Sequence, residues 1–265
     1  MIPPGIAPGE LWRVKDKLPC HWQRVDFQPR DLLFLRVLLE QKFLSHEQIL
    51  DFIYSGKKRY AYIRLWKLRR FGFVKKVVGF TGSALYLPTD QTYDYFKSCF
   101  VEVPTPVACP DPRTVFHDLQ VTDVRFLFEQ MGFGRSWTSE RLWKMGRSVR
   151  LWAPDGVISV GGDSFAVEVK RVQKENVRYE DIFARYQNDL DLAACLYITT
   201  DKLLPLLLEK ALDSQAIFFT TLRELFEKKE KTAFRNANGN VLEIGDNLER
   251  ILEARSNTKP SQPND

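Results

Sequence analysis

Three side chains in the second half of the chain have types and spacing that could do chemistry: Asp155, Glu168 and Lys170. They stand in the stretch PDGVISVGGDSFAVEVK, residues 154–170. β-Branched residues alternate on both sides of Gly-Gly-Asp-Ser, so the stretch reads as strand, tight turn, strand. A two-residue turn at Gly162-Asp163 pairs Gly161 with Ser164, and a four-residue loop gives the same register. Asp155 then lies opposite Lys170, and Val157 opposite Glu168. Opposed residues share a face, as do residues two apart on one strand. Asp155, Glu168 and Lys170 therefore project from one side of the hairpin, and Phe165, Val167 and Val169 from the other, toward a core. Paired carboxylates are hard oxygen ligands that suit Mg2+ or Mn2+. Such an ion neutralises a phosphodiester and lowers the pKa of bound water, while a lysine positions that water or stabilises developing charge. The same three residues also read as ordinary decoration of an exposed hairpin face, because D…E-x-K is a short pattern.

The elements around the hairpin must hold it. Residues 115–131 have helical spacing closed by Gly132, and 136–143 read as a strand or the end of a turn. Residues 174–192 form a second helix with Ile182, Tyr186 and Leu190 on one stripe. The apolar runs 193–199 and 216–220 read as buried strands, with a helix over 203–212 between them. Helix, hairpin, helix, strand, helix, strand predicts an α/β sandwich around a mixed sheet.

The net charge of +5 is unevenly spread. From Phe52 to Thr89 there is no Asp or Glu, but Lys57, Lys58, Arg59, Arg64, Lys67, Arg69, Arg70, Lys75 and Lys76 all occur, leaving the rest of the chain slightly acidic. A polyanion supplies the missing counter-charge through counterion release. The run coincides with a structural pattern. Residues 30–41 carry leucines at helical spacing, and Ser45 with Gln48 forms a capping box that opens a second helix through Phe52. After Gly56 a third helix covers 57–71 and stops at Gly72, and strands over 73–80 and 84–88 flank Thr81-Gly82-Ser83. This is the order of a winged helix-turn-helix. On the third helix Ala61, Leu65, Leu68 and Phe71 share one face, and Arg59, Tyr62, Trp66, Arg69 and Arg70 the other. Such a face suits a recognition helix in a major groove, with Lys57 and Lys58 at its start and Lys75 and Lys76 on the wing for flanking phosphates. Two alternatives stand beside this: a solvated face with Trp66 packed on the next domain, and a protein-docking module.

Four prolines in 101–113 mark a linker. The expected organisation is an irregular arm 1–28, a winged helix-turn-helix domain 29–100, the linker 101–113, an α/β domain 114–255 and a disordered tail 256–265, α+β overall. Cys20, Cys99, Cys109 and Cys195 are too scattered for a zinc site or a disulfide framework, and only three histidines occur. No nucleotide cofactor is expected. No apolar run reaches the roughly 18 residues needed to span a bilayer. No signal peptide opens the chain, so a cytoplasmic protein without membrane partners is expected.

Pro154-Asp155, then Glu168-x-Lys170 on the next strand, then a helix and a buried strand, resemble the PD-(D/E)XK nuclease superfamily over roughly residues 115–220. With His117-Asp118-Leu119 and Thr122-Asp123 on the preceding helix, behind a winged helix, most of the chain is similar to the replication-relaxation family of mobile-element proteins. The resemblance implies metal-dependent phosphodiester hydrolysis in plasmid, phage or transposon DNA. Asp155 and Glu168 would be metal ligands and Lys170 the catalytic lysine. A further acid is implied on the first helix, matched best by Asp123 and less well by Glu140. His117 would stand at the rim. Tyr179, Arg185, Tyr186 and Gln187 would line the DNA side of the following helix, although their spacing departs from the usual Q-x-x-x-Y. The implied partners are DNA and a relaxase, transposase or replication protein, with a homodimer where both strands are cut. The alternative function is a non-catalytic DNA-binding accessory or transcriptional regulator that keeps a degenerate nuclease fold. A third is an interaction module.

Overall fold

Pro29 presets the first helical φ, and the Asp31 carboxylate accepts the Gln28 N–H at 2.8 Å. Helix α1 (Pro29–Gln41) therefore starts where the leucine spacing starts. The computed structural model describes residues 25–78, 82–132, 137–145, 152–160, 162–172, 176–189, 191–212 and 214–243. The chain divides into two compact units: Met1–Phe126 with Ser139–Leu151, and Leu127–Thr138 with Trp152–Asp265.

In the first unit α1 is followed by strand β1 (Leu44–Ser45) and helix α2 (His46–Gln48), which runs on as a π-helical turn over Ile49–Ile53. The capping box is present: Gln48 N–H donates to Ser45 Oγ, and Ser45 N–H to Gln48 Oε1, both at 3.1 Å. Helix α3 (Lys58–Arg70), strands β2 (Val74–Val78) and β3 (Ala84–Pro88) and helix α4 (Asp90–Ser98) follow. The three strands form an antiparallel sheet in the order β1-β3-β2. Phe34, Leu35, Leu38, Ile49, Leu65, Leu68 and Phe73 lie in the core, and Val25 and Phe27 of the expected arm join them. Residues 1–24 and the expected tail 256–265 lie outside the described residues, as does Thr81 of the hairpin tip.

The proline-rich segment 101–113, expected as the boundary, lies inside the first unit. The division falls instead within helix α5 (Val115–Gln130), after Phe126. The physical reason is a set of polar ties from its first turns: Gln48 Nε2 donates to the Leu119 carbonyl at 2.8 Å, Lys42 pairs with Asp118 at 2.7 Å and Arg125 with buried Glu40 at 2.6 Å. The strand expected over 136–143 is only β4 (Thr138–Ser139), followed by helix α6 (Glu140–Met145). Ser139 Oγ accepts the Leu142 N–H at 3.3 Å and so caps that helix.

The second unit carries strands β5 (Gly156–Val160) and β6 (Asp163–Val169), helix α7 (Asn176–Asn188), strand β7 (Ala194–Thr199), helix α8 (Leu204–Lys210), strand β8 (Ile217–Thr221), helix α9 (Leu222–Lys228) and strands β9 (Ala233–Arg235) and β10 (Val241–Glu243). The mixed sheet has seven strands, in the order β10-β9-β8-β7-β6-β5-β4. β6, β7 and β8 are parallel and joined through α7 and α8, whereas β5–β6, β8–β9 and β9–β10 are antiparallel. All six residues of β7 are buried, as a central parallel strand requires. The architecture is thus mixed α/β, with helices and a mixed seven-stranded sheet.

The hairpin register differs from the expectation by two residues. Val160 pairs with Asp163, Ser159 with Ser164 and Gly156 with Val167. The turn is carried by Gly162 at φ +98°, a conformation open to glycine and costly for other residues. A one-residue slip would move side chains to the opposite face, but a slip of two returns them to the same one. The shared face of Asp155, Glu168 and Lys170 survives the correction.

Candidate active site and basic helix

At the end of the β5–β6 ladder the Asp155 side chain takes over from the backbone: its Oδ2 accepts the Val169 N–H at 2.8 Å. Glu168 follows the parity of β6 onto the same face, where it is 2% exposed. Its Oε1 accepts the Tyr186 hydroxyl of α7 at 2.6 Å, and its Oε2 lies 2.6 Å from Lys170 Nζ. Lys170 Nζ also stands 3.5 Å from Asp155 Oδ2, so one ammonium bridges two carboxylates. The backbone of Lys170 is clamped as well: its N–H donates to the Ile198 carbonyl at 2.9 Å, and its carbonyl accepts Thr199 Oγ1 at 3.0 Å. Trp152 packs edge-on against Tyr186 with ring centroids 4.2 Å apart. The face is therefore roofed and nearly buried, and is not an exposed hairpin surface.

Burial sets the electrostatics. It pushes the Glu168 carboxyl above its ordinary range, with Lys170 opposing and Asp155 adding to the rise. Burial alone would lower Lys170, but the Glu168 and Asp155 carboxylates outweigh it and hold the ammonium above its ordinary range. Lys170 is accordingly a fixed cation at neutral pH and not a proton acceptor. Tyr186 is held well above its usual value by burial and by Glu168, so it remains a donor.

The donor set fits a small hard cation. Two carboxylates on one face already share a single positive charge, and their oxygens are the ligands that Mg2+ and Mn2+ prefer. Tyr197, aligned with Glu168 across the parallel ladder, keeps a buried hydroxyl with no hydrogen-bond partner among the described residues. Among the described residues no group of three or more His, Cys, Asp or Glu side chains is placed to hold a metal. A bound ion would take two side-chain ligands and complete its shell with water and substrate oxygens, as Mg2+ commonly does.

The remaining expected site residues are spread over both units. Asp123 is in the first unit, where its carboxylate accepts Gln48 Nε2 at 2.7 Å. Burial raises its pKa, and the Gln48 bond opposes the rise. His117 is half-buried on α5, and Glu140 pairs with Lys144 one turn along α6, both in the first unit. On α7 Tyr179 is a core residue, Arg185 and Gln187 are exposed, and Tyr186 reaches the trio through Glu168. Trp152 and Thr199 are the supporting residues not anticipated. The parity of β7 is a usable signal for Thr199, which is in step with Glu168 and Lys170.

Helix α3 buries Ala61, Leu65 and Leu68 and exposes Lys57, Lys58, Arg59, Tyr62, Trp66, Lys67, Arg69 and Arg70 with its N-terminal flank. Arg64 is the exception within the basic run. It is buried and ion-paired with Asp31, and it also donates to the Asp26 carbonyl at 2.7 Å. On β2 Lys76 is exposed, and Lys75 donates to the Ala108 carbonyl at 2.6 Å. No family model, curated protein or solved structure matches this chain. Among the described residues no helix is long and apolar enough to cross a membrane.

Proposed function

We propose that the chain binds DNA and hydrolyses its phosphodiester bonds with a divalent metal, the first unit acting as a winged helix-turn-helix and the second as a PD-(D/E)XK-type nuclease of the replication-relaxation kind. The observation that carries the reading is the convergence of Asp155, Glu168 and Lys170, with one ammonium between two carboxylates on a roofed sheet face. The element order of the first unit and its acid-free, outward-facing basic helix support the DNA-binding half. When bound at the two carboxylates, Mg2+ or Mn2+ would neutralise the phosphate and lower the pKa of a water ligand. The chain's own residues do the rest. Tyr186 fixes one Glu168 oxygen, and the Val169 N–H fixes one Asp155 oxygen, so neither carboxylate reorganises during the reaction. Lys170, held protonated, presents positive charge to the phosphoryl oxygens. The near-burial of the three side chains lowers the local dielectric and strengthens those interactions.

Supercoiled plasmid incubated with the protein and Mg2+ or Mn2+ is expected to become nicked, and a chelator to stop the nicking. A second reading, DNA binding without cleavage by an accessory or regulatory protein, is favoured by one observation: Lys170 is already ion-paired with both carboxylates. Plasmid that is bound but left intact in both metals would decide for it.

A further inference from the structure

Recognition helices that read base edges do so with hydrogen-bonding side chains such as Arg, Asn and Gln. The outer face of α3 carries Arg59, Arg69 and Arg70 but sets large rings among them. Tyr62 is 70% exposed and Trp66 47% exposed, four residues apart on one row. Arg70 continues the row, with its guanidinium carbon 5.3 Å from the Trp66 ring centroid. Ile63 is also exposed between them. Large rings left in water on a helix are costly unless something covers them. The surrounding charge says what would: Lys57, Lys58, Arg59, Lys67, Arg69 and Arg70 are exposed, and α3 carries no acid. A polyanion with flat apolar faces of its own meets both requirements. Four helical residues rise about 6 Å, close to two stacking steps of about 3.4 Å, so a single base fits between successive rings of the row. In a paired duplex the base faces are covered by their neighbours. They are open only in single strands, flaps and melted junctions.

We propose that α3 is a stacking platform for unpaired bases, and that the preferred substrate is DNA with a single-stranded segment and not a continuous duplex. This rests on the DNA-binding reading and narrows it. Tyr62 and Trp66 supply the stacking, Arg70 braces the Trp66 ring, and the flanking cations track the phosphates.

The test compares three oligonucleotides of equal phosphate number, a single strand, a tailed duplex and a blunt duplex, by fluorescence anisotropy with the full chain. The single strand and the tailed duplex are expected to bind about tenfold or more tighter than the blunt duplex. Tyr62→Ala/Trp66→Ala, at exposed positions, should erase that preference while leaving the dependence on salt unchanged. Arg59→Ala/Arg69→Ala should weaken all three ligands alike and flatten the salt dependence. Equal or tighter binding of blunt duplex, or an aromatic variant that weakens every ligand equally, would overturn the stacking platform and leave DNA binding standing. No binding of any of the three at low salt would overturn both, and would turn the face into a surface for a protein partner.

Discussion

Glu168 is the residue on which the site's energetics turn. Its folded-state pKa is raised, so its contribution to stability is full below the ordinary glutamate value and is lost as pH rises through the folded one. Above that range the carboxylate is tolerable because Lys170 and Tyr186 hold it. Lys170→Met strands two carboxylates beside each other. The expected cost is about 3–5 kcal/mol near neutrality, since one partner of a buried pair has been removed. The sign of the shift makes the loss smaller as pH falls from neutral into the mildly acidic range, because protonation removes the stranded Glu168 charge. Denaturant unfolding of wild type and variant across that range measures it, and a cost independent of pH would contradict the account. Adding Glu168→Gln to the lysine variant should restore most of the stability and none of the chemistry. Tyr186→Phe leaves a buried carboxylate oxygen without its donor and should cost about 1.5–3 kcal/mol by the same measurement.

The elements hold these residues through a few close fits. A Cβ at Gly156 would lie 2.1 Å from the Trp137 ring, so Gly156→Ala must displace that ring or bend β5. We expect it to cost at least about 1–3 kcal/mol in thermal unfolding and to disturb Asp155 next to it. In the first unit Ser45→Ala removes the cap from α2 and loosens Gln48, at a cost of about 1 kcal/mol. Much of this scale was legible in the sequence. Alternation gave the hairpin and the face shared by Asp155, Glu168 and Lys170, the Ser45–Gln48 spacing gave the cap, and the apolar runs gave β7 and β8. What was not legible has physical reasons. Gly-Gly-Asp-Ser permits more than one tight turn, so the register was open by two residues. β4, β9 and β10 have two or three residues each, too few to show a period. The α5 boundary is set by ion pairs with Lys42 and Glu40, far away in sequence. Arg64 sits on the wheel between Leu68 and Phe71 of the apolar face, but its partner Asp31 belongs to another helix. Tyr186 was placed on an apolar stripe by its spacing and beside the site only by the family resemblance, whereas its bond to Glu168 depends on how α7 lies on the sheet.

At the scale of the whole molecule, two chemistries are carried by two units: charge and exposed rings in the first, buried carboxylates in the second. The first predicts binding that falls steeply with salt. Each arginine removed from Arg59, Arg69 or Arg70 should lower the slope of log affinity against log salt by about 0.9 on duplex DNA. An unchanged slope would remove α3 from the interface. The second makes the central claim, that Asp155, Glu168 and Lys170 cut DNA with a divalent metal, and the comparison that reaches it most directly is plasmid nicking by wild type and Asp155→Asn. The asparagine keeps an oxygen for the Val169 N–H, so the hairpin should stay intact while a charged metal ligand is lost. The account predicts nicking in Mg2+ or Mn2+ by the wild type, and a rate lower by about a hundredfold or more in a variant that binds DNA and unfolds like the wild type. Nicking by Asp155→Asn at the wild-type rate, or wild type that binds DNA and leaves it uncut in both metals, would contradict it.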